Sequence, residues 1–210
     1  MLQGARHEHA QAVEAAAASE CLGVEVVELR TSEDVQNLDA LILPGGESTT
    51  MRLASDSRGL LDSLFGWMQE FPAKPVLATC AGAILLCDPG DGRDPLVDAG
   101  ISRNSFGRQV DSFQAVLDVE LDEVICSEDR SYIDSQGHSS LLVSGIDDSQ
   151  GFPGVFIRAP RFTSVDCTPV AMFGTEVVGV LDGHRMALTF HPELTSDRRF
   201  HHWLLNQASA

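Results

Sequence analysis

Apolar and polar residues in the first part of the chain form blocks that predict helices and strands in turn. An alanine-rich segment has the spacing of a helix and ends before Gly23, a residue suited to a helix C-cap. Shorter runs of apolar residues between the helical segments indicate strands. The pattern predicts, in chain order, a helix at about 6–22, strands at 24–29 and 39–43, a helix beginning at 47–50, and a helix at about 59–71.

After Asp88 the pattern changes to short strand-like runs with little helix between them. It predicts strands at 113–121, 154–158, 170–173, 177–181 and 186–190, and a last amphipathic helix at about 196–207. Strands that alternate with helices of this length indicate an α/β fold, with a mostly parallel sheet covered by helices on both faces. The 210 residues suit a single domain, 1–210.

The acidic balance of the chain excludes one class of partner. The formal net charge is −17, and Lys74 is the only lysine among the 14 cationic residues. Binding of nucleic acid needs clustered cations, so we expect no nucleic-acid partner. Self-repulsion at this charge is tolerable where salt screens it, and we interpret the composition as halophile-like.

Cysteine usage and apolar run lengths indicate the compartment. The five cysteines are an odd number without C-x-x-C spacing, which predicts neither a disulfide framework nor a zinc site. The chain does not open with a basic segment followed by an apolar one, and its longest apolar run, 76–87, is too short to span a bilayer. We therefore expect a cytoplasmic protein without a membrane partner.

Cys80 is the strongest candidate for chemistry. The stretch 78–82 that contains it follows the apolar run 75–77, which predicts a buried strand, and precedes the helical run 83–87, and small residues surround Cys80. Such a sharp strand-to-helix turn exposes a nucleophile and places backbone N–H groups beside it. The alternative is a small hydrophobic residue buried under a helix, as we expect for Cys87. Cys21 and Cys167 have no catalytic context.

Two further strand ends supply partners for this cysteine. Pro44-Gly45-Gly46-Glu47 and His191-Pro192-Glu193 each follow a predicted strand, and ligands gather at the carboxyl ends of parallel strands. Alternation along the chain sends His191 and Glu193 to the same side, so the carboxylate can orient the imidazole. Nucleophile, base and orienting acid would form a triad. Taken alone, His-Pro-Glu is a weak signal and favours a turn histidine near the surface. The cysteine turn and the Gly-Gly loop at neighbouring strand ends reverse that preference.

The remaining histidines on predicted helices have no such context. His7 and His9 are two residues apart and do not share a helical face, and His201 and His202 are adjacent. We interpret all four as surface residues, and we predict no metal site.

Together the motifs resemble a class I, triad-type glutamine amidotransferase: Thr-Cys-Ala-Gly at 79–82, Pro-Gly-Gly-Glu-Ser-Thr-Thr-Met at 44–51, and Phe-His-Pro-Glu-Leu at 190–194. More narrowly, the chain resembles the glutaminase subunit of pyridoxal 5′-phosphate synthase over nearly its whole length. Leu-Gln-Gly at 2–4 and Val-Phe-Ile-Arg-Ala-Pro at 155–160 contribute to this narrower resemblance. The motifs that discriminate this subunit from other class I amidotransferases are Arg-Asn-Ser-Phe-Gly-Arg-Gln at 103–109 and Phe-Ile-Arg-Ala-Pro at 156–160.

This resemblance implies a flavodoxin-like, three-layer sheet and a role for each residue that matches the motifs. It implies Cys80 as nucleophile, His191 as base and then acid, and Glu193 as the orienting acid. The N–H groups of Gly46 and Ala81 would stabilise the oxyanion. The substrate-binding residues would be Gly46, Glu47, Ser48, Arg103, Ile157 and Arg158. Surface ion pairing remains an alternative for the two arginines, and helix capping an alternative for Glu47.

The same resemblance implies a reaction and a partner. L-Glutamine would be hydrolysed to L-glutamate and ammonia through a cysteine thioester, with no cofactor on this chain. Ammonia would pass to a separate (β/α)₈-barrel subunit that builds pyridoxal 5′-phosphate. Two alternatives remain open: a glutaminase that serves another synthase, such as the imidazole glycerol phosphate system, and a truncated, inactive homologue that only docks.

Three departures from the family pattern bear on these expectations. Ala78 stands where the strand-to-helix turn usually has its first glycine, which is tolerable if its φ stays below zero. The acidic segment 122–150 reads as a surface insertion. The family has a strand directly before Leu-Gln-Gly, so we interpret the first strand as missing because of a start codon assigned too far downstream.

Overall fold

The structure, a computed structural model, describes residues 5–46, 59–90, 92–103, 112–121 and 151–209. Four α-helices lie in these ranges: α1 (Arg6–Ser19), α2 (Leu60–Glu70), α3 (Ala81–Cys87) and α4 (Arg199–Ser209). The strands are β1 (Leu41–Leu43), β2 (Val76–Thr79), β3 (Ala99–Ser102), β4 (Ser112–Val119), β5 (Phe152–Ile157), β6 (Arg161–Val165), β7 (Thr168–Phe173), β8 (Glu176–Asp182) and β9 (Arg185–Leu188). Short 3₁₀ helices cover Ser32–Val35 and Pro192–Leu194.

Within the described ranges, a seven-stranded sheet has the order β1-β2-β9-β8-β7-β4-β5, and β3 and β6 form a separate two-stranded antiparallel sheet. β1, β2 and β9 are parallel neighbours. The remaining pairs of the large sheet, from β9–β8 to β4–β5, are antiparallel. The predicted α/β fold is confirmed, but the sheet is mixed rather than mostly parallel.

Short hairpin connections explain this difference. β7 and β8 are joined through Gly174, and β8 and β9 through Gly183, with φ angles of 59° and 57°. Two-residue turns with a glycine in the left-handed region join antiparallel strands, whereas parallel strands need a long crossover. The sequence shows no helical pattern between β7 and β8 or between β8 and β9. Because no crossover helix can form there, these strands pair antiparallel.

Helices cover both faces of the large sheet around two apolar clusters. Leu64 and Met68 of α2 and Leu85 of α3 pack on one face, and Val13 of α1 and Trp203 of α4 pack on the other. The strands supply alternate residues to the two clusters, as shown by β2: Val76 and Ala78 face α2 and α3, whereas Leu77 faces α1 and α4. This three-layer arrangement leaves the strand ends open for a site.

The predicted strand at 24–29 is absent from the described secondary structure, and Val24 and Val27 are about 40% exposed. Among the described residues, no strand pairs with the outer edge of β1. A groove of about 290 Å³ lies there instead, lined by 23–27 on one side and by Ala40 and Ile42 on the other. A strand needs a hydrogen-bonding neighbour, so the apolar pattern of 24–29 alone does not produce one.

Several predictions fall outside the described residues and stay predictions. These are the helix beginning at 47–50, the acidic insertion at 122–150, and the segments 1–4 and 104–109 that carry part of the family resemblance. Within the ranges that are described, no helix is both long and apolar enough to cross a membrane.

Gly82 fixes how closely α3 approaches β1. A Cβ at this position would lie 1.9 Å from the carbonyl oxygen of Leu43 and 2.6 Å from its carbonyl carbon. Contacts this short with backbone force the helix to move, so we expect Gly82→Ala to lower the free energy of unfolding by about 1–3 kcal/mol. Urea denaturation measures this change.

Gly66→Ala in α2 is the matched control. A Cβ there meets no atom within 4 Å, and the side is exposed. Because alanine has the higher helix propensity, this variant should gain about 0.5–1 kcal/mol. Equal effects from the two substitutions would contradict the proposed close approach at Gly82.

Candidate active site

The ends of three neighbouring strands meet at one edge of the sheet. Gly45 lies just after β1, Cys80 just after β2, and His191 shortly after β9, and these strands are parallel neighbours. The Cys80 N–H donates to the Leu188 carbonyl over 2.8 Å, which continues the β2–β9 pairing up to the turn. Gly45 lies against the imidazole, since a Cβ there would be 2.4 Å from Cε1 of His191.

Cys80 occupies a strained turn between β2 and α3. Its φ and ψ are 48° and −104°, outside the regions that side-chain-bearing residues prefer, and it is the N-cap of α3. Such strain costs on the order of 1–3 kcal/mol and is held by the surrounding packing. The Ala81 N–H has no acceptor within its own helix turn because it begins α3. Cys80 is 7% exposed, and its Sγ lies 3.9 Å from the Ile157 carbonyl oxygen.

His191 and Glu193 form a buried pair beside the cysteine. Nδ1 of His191 and Oε1 of Glu193 are 2.7 Å apart, and the exposed fractions of the two residues are 7% and 2%. Burial alone would lower the pKa of His191, but hydrogen bonds and charges from Cys80 and Glu193 outweigh it and raise this pKa to about 10. The imidazole is therefore well placed to hold a proton taken from the thiol.

The carboxylate of Glu193 also faces a second histidine. Burial would raise the pKa of Glu193, but His9 and the hydrogen bond with His191 lower it overall. Oε2 of Glu193 lies 3.3 Å from Nε2 of His9, and both side chains are fully buried. Nε2 of His9 is also 3.0 Å from Oγ1 of Thr79, and its Nδ1 is 3.1 Å from Nε2 of His201.

The surface interpretation of three histidines is wrong. His9 and His201 are fully buried and His202 is 3% exposed, whereas His7 is exposed as predicted. His9 lies on the same face of the helix as three buried residues that follow it by three, four and seven positions: Ala12, Val13 and Ala16. That spacing in the sequence already places His9 on the buried face of α1.

The predicted substrate-binding residues are placed differently from one another. Ile157 and Arg158 are exposed beside Cys80, and Arg158 has a positive φ of 44°. Arg103 forms an ion pair with Asp88 over 3.7 Å, at the end of α3 opposite Cys80. Gly46 follows Gly45 at the strand end, whereas Glu47 and Ser48 lie outside the described residues. These substrate roles therefore stay predictions.

The described residues contain no cluster of three or more His, Cys, Asp or Glu side chains that could hold a metal ion.

Comparison with known proteins decides the family. The family model of the SNO glutamine amidotransferase family matches residues 1–210. The chain belongs to this family. The amidotransferase is 38% identical over 206 residues to pyridoxal 5′-phosphate synthase subunit PdxT of Haloquadratum walsbyi, with 95% of this chain and 87% of that protein covered. It is 38% identical over 218 residues to PdxT of Thermococcus onnurineus, with 99% and 95% covered. The predicted resemblance is confirmed.

Solved structures agree with this assignment. A glutamine amidotransferase crystal structure matches with a TM-score of 0.73 and 32% identity, covering 100% of this chain and 98% of the other. PurLQS from Thermotoga maritima matches with a TM-score of 0.62 and 16% identity, over 97% of this chain and 92% of the other, which shows the fold alone.

The buried histidines make the stability of this amidotransferase dependent on pH. Burial lowers the pKa of His9 and His201, so below about pH 6.5 the unfolded chain binds protons that the folded chain does not. As the pH is lowered below 6.5, the free energy of unfolding should therefore decrease by up to about 1.4 kcal/mol per pH unit for each histidine. His191 acts oppositely: its raised pKa stabilises the fold below pH 6.5, and this stabilisation is lost towards pH 10.

We therefore expect the free energy of unfolding, measured in urea, to be largest near pH 6.5. Replacing His201 by glutamine should reduce the acid slope by about half, because one of two buried neutral histidines is removed. His7→Gln, at an exposed position, is the control and should leave the slope unchanged. A slope that is the same in the His201 variant would contradict this explanation.

Proposed function

We propose that this chain is the glutaminase subunit of a pyridoxal 5′-phosphate synthase, and that it hydrolyses L-glutamine to L-glutamate and ammonia. The observation that carries the proposal is the buried series of Cys80, His191 and Glu193 at adjacent strand ends, with 2.7 Å between the imidazole and the carboxylate. Membership of a glutamine amidotransferase family and 38% identity to PdxT proteins support it.

The first half of the reaction forms a thioester. His191 takes the proton of the Cys80 thiol, and the sulfur attacks the carboxamide carbon of glutamine. The N–H groups of Gly46 and Ala81 stabilise the negative oxygen that develops. The C–N bond then breaks as His191 returns its proton to the leaving nitrogen, so ammonia leaves and a glutamyl thioester remains on Cys80.

In the second half of the reaction, water hydrolyses the thioester. His191 takes a proton from water, the hydroxide attacks the thioester carbon, and the C–S bond breaks to release glutamate and restore the thiol. Glu193 stays ionised throughout and stabilises the imidazolium, in agreement with its lowered pKa. No cofactor takes part in either half.

The substrate pocket is also a proposal. Glutamine presents a carboxylate and an ammonium group, which call for a cation or N–H donors and for an acceptor. We assign these contacts to Gly46, Glu47, Ser48, Arg103, Ile157 and Arg158. Ile157 and Arg158 have the exposure this role needs, beside the 3.9 Å contact between Cys80 Sγ and the Ile157 carbonyl. Arg103 would have to leave its ion pair with Asp88 to reach the substrate.

The partner would be a (β/α)₈-barrel synthase subunit that receives the ammonia and uses it to build pyridoxal 5′-phosphate. The names of the PdxT relatives support a synthase partner, and the barrel is what the family resemblance implies. We propose that residues 1–210 form a single domain.

Incubation of the complex with glutamine labelled with ¹⁵N at the amide tests the proposed function. We expect equal amounts of glutamate and ammonia, and ¹⁵N in the pyridoxal 5′-phosphate that the synthase subunit produces. Asparagine, shorter by one methylene group, is the control substrate and should be hydrolysed at least 10-fold more slowly. Absence of amide hydrolysis in the intact complex would overturn the proposal.

A further inference from the structure

Glu193 lies between two histidines, of which only His191 belongs to the proposed triad. Its Oε1 atom pairs with His191, and its Oε2 atom has no well-aligned hydrogen bond from any described residue. Nε2 of His9 is 3.3 Å from Oε2, and the side chains of both residues are fully buried. A buried carboxylate oxygen needs a donor, so His9 is the group that meets this need.

The protons of the histidine pair can be assigned from their neighbours. Nδ1 of His9 and Nε2 of His201 are 3.1 Å apart, and Nδ1 of His201 has no partner among the described residues. A buried N–H without an acceptor is rarer than a buried lone pair without a donor. His201 therefore carries its proton on Nε2 and donates to His9, which places the proton of His9 on Nε2. This N–H lies between Oγ1 of Thr79 at 3.0 Å and Oε2 of Glu193 at 3.3 Å.

Thr79 ties the same ring to the nucleophile strand. Its Oγ1 lies 3.0 Å from Nε2 of His9 and accepts a hydrogen bond of 3.0 Å from the N–H of Gly45. Thr79 is the residue before Cys80, and Gly45 lies against the ring of His191. His9 thus contacts residues from three parts of the fold: the end of β2, the turn after β9, and α4.

We propose that His9 is a positioning residue for catalysis, acting through Glu193. Its Nε2–H holds Oε2 of the carboxylate, so that Oε1 stays directed at Nδ1 of His191 when the imidazole accepts the proton of Cys80. His201 supports this role by fixing which nitrogen of His9 carries the proton. The proposal deepens the proposed glutaminase function and rests on it.

Four variants separate this role from simple packing. His9→Leu removes both ring nitrogens, whereas His9→Gln places an amide nitrogen near the position of Nε2 and keeps the donor towards Glu193. His9→Asn has an amide that reaches only the position of Nδ1, so it can contact His201 but not Glu193. His202→Leu is the matched control, because His202 is buried between α1 and α4 like His9 but pairs with Glu20 at the far end of α1.

The first readout is glutaminase activity of the complex. Loss of one hydrogen bond to a charged group should lower kcat roughly 10- to 100-fold in His9→Leu and His9→Asn, with KM within about threefold of wild type. His9→Gln should stay within about fivefold of wild type. His202→Leu should stay within about twofold, whatever its effect on thermal stability.

The second readout does not depend on glutamine turnover. Alkylation of Cys80 by iodoacetamide at pH 7, followed by mass spectrometry of the peptide that contains it, reports how well His191 accepts the thiol proton. We expect its rate to fall roughly 10-fold in His9→Leu and His9→Asn, but less than threefold in His9→Gln and His202→Leu. This pattern in a protein that does not hydrolyse glutamine would uphold the positioning role and reject the proposed function.

The proposal is overturned if folded His9→Leu alkylates and turns over within threefold of wild type, or if His9→Gln is as impaired as His9→Leu. If the leucine variant does not fold, the comparison of His9→Gln with His9→Asn decides: equal alkylation rates for these two would overturn the proposal, and a slower asparagine variant would uphold it.

Discussion

Replacing Cys80 by alanine is expected to reduce glutamine hydrolysis by on the order of 10³-fold or more, because the thioester cannot form without the thiol. The backbone turn should survive, since alanine has the smallest side chain that retains a Cβ. Initial rates of glutamate release by the complex measure the effect. Loss of less than about 10-fold would show that another group carries the reaction.

Cys87→Ala is the control for this substitution. Cys87 is buried at the other end of α3, and burial raises the pKa of its thiol to about 12, so it is not a nucleophile at neutral pH. Its replacement should cost stability by loss of packing and leave the rate within about twofold of wild type. Similar losses of activity from both cysteine variants would contradict a specific role for Cys80.

Replacing Glu193 by glutamine is expected to lower kcat by up to about 10⁴-fold, the loss found when the orienting acid of a serine triad is replaced by its amide. Both neighbours of the carboxylate are donors in our assignment: Nδ1 of His191 at 2.7 Å and Nε2 of His9 at 3.3 Å. A carboxylate accepts from both, whereas a glutamine amide has one oxygen and must turn its NH₂ group towards the other donor. It also lacks the charge that stabilises the imidazolium.

The matched control is Glu20→Gln, which alters a second, partly buried histidine–carboxylate pair of the same fold. Oε1 of Glu20 lies 2.6 Å from Nδ1 of His202, at the opposite end of α1 from the site. This variant should change kcat by less than about twofold, since its histidine has no contact with the triad. If glutamine is tolerated equally at both positions, the charge of Glu193 has no part in catalysis.

The site motifs were predictable because each is local in the sequence. An apolar strand followed by Thr79-Cys80-Ala81-Gly82 marks a strand-to-helix turn, and His191-Pro192-Glu193 places two candidate side chains on one side of the chain. Parallel strand order then brings such turns to one edge of a sheet. These rules act within a few residues and do not depend on how the rest of the chain packs.

The strand at 24–29 shows where this local reasoning fails. Its alternating pattern is typical of a strand, but a strand forms only with a neighbour that accepts its hydrogen bonds, and the described edge of β1 is separated from it by a groove. Strand direction is likewise not set by the apolar pattern, which suits parallel and antiparallel pairing equally. The short turns at Gly174 and Gly183 impose the antiparallel pairing that makes the sheet mixed.

The sequence by itself determined the α/β class, the strand-to-helix turn at Cys80 and the choice of Cys80, His191 and Glu193 as the proposed triad, since these depend on short motifs and on periodicity. Only the tertiary structure decided that His9 contacts both His201 and Glu193, although 192 residues separate His9 from His201 along the chain. Two helices that are distant in sequence bring them together by packing on the same face of the sheet. Contacts of this kind depend on the whole fold, and no local pattern specifies them.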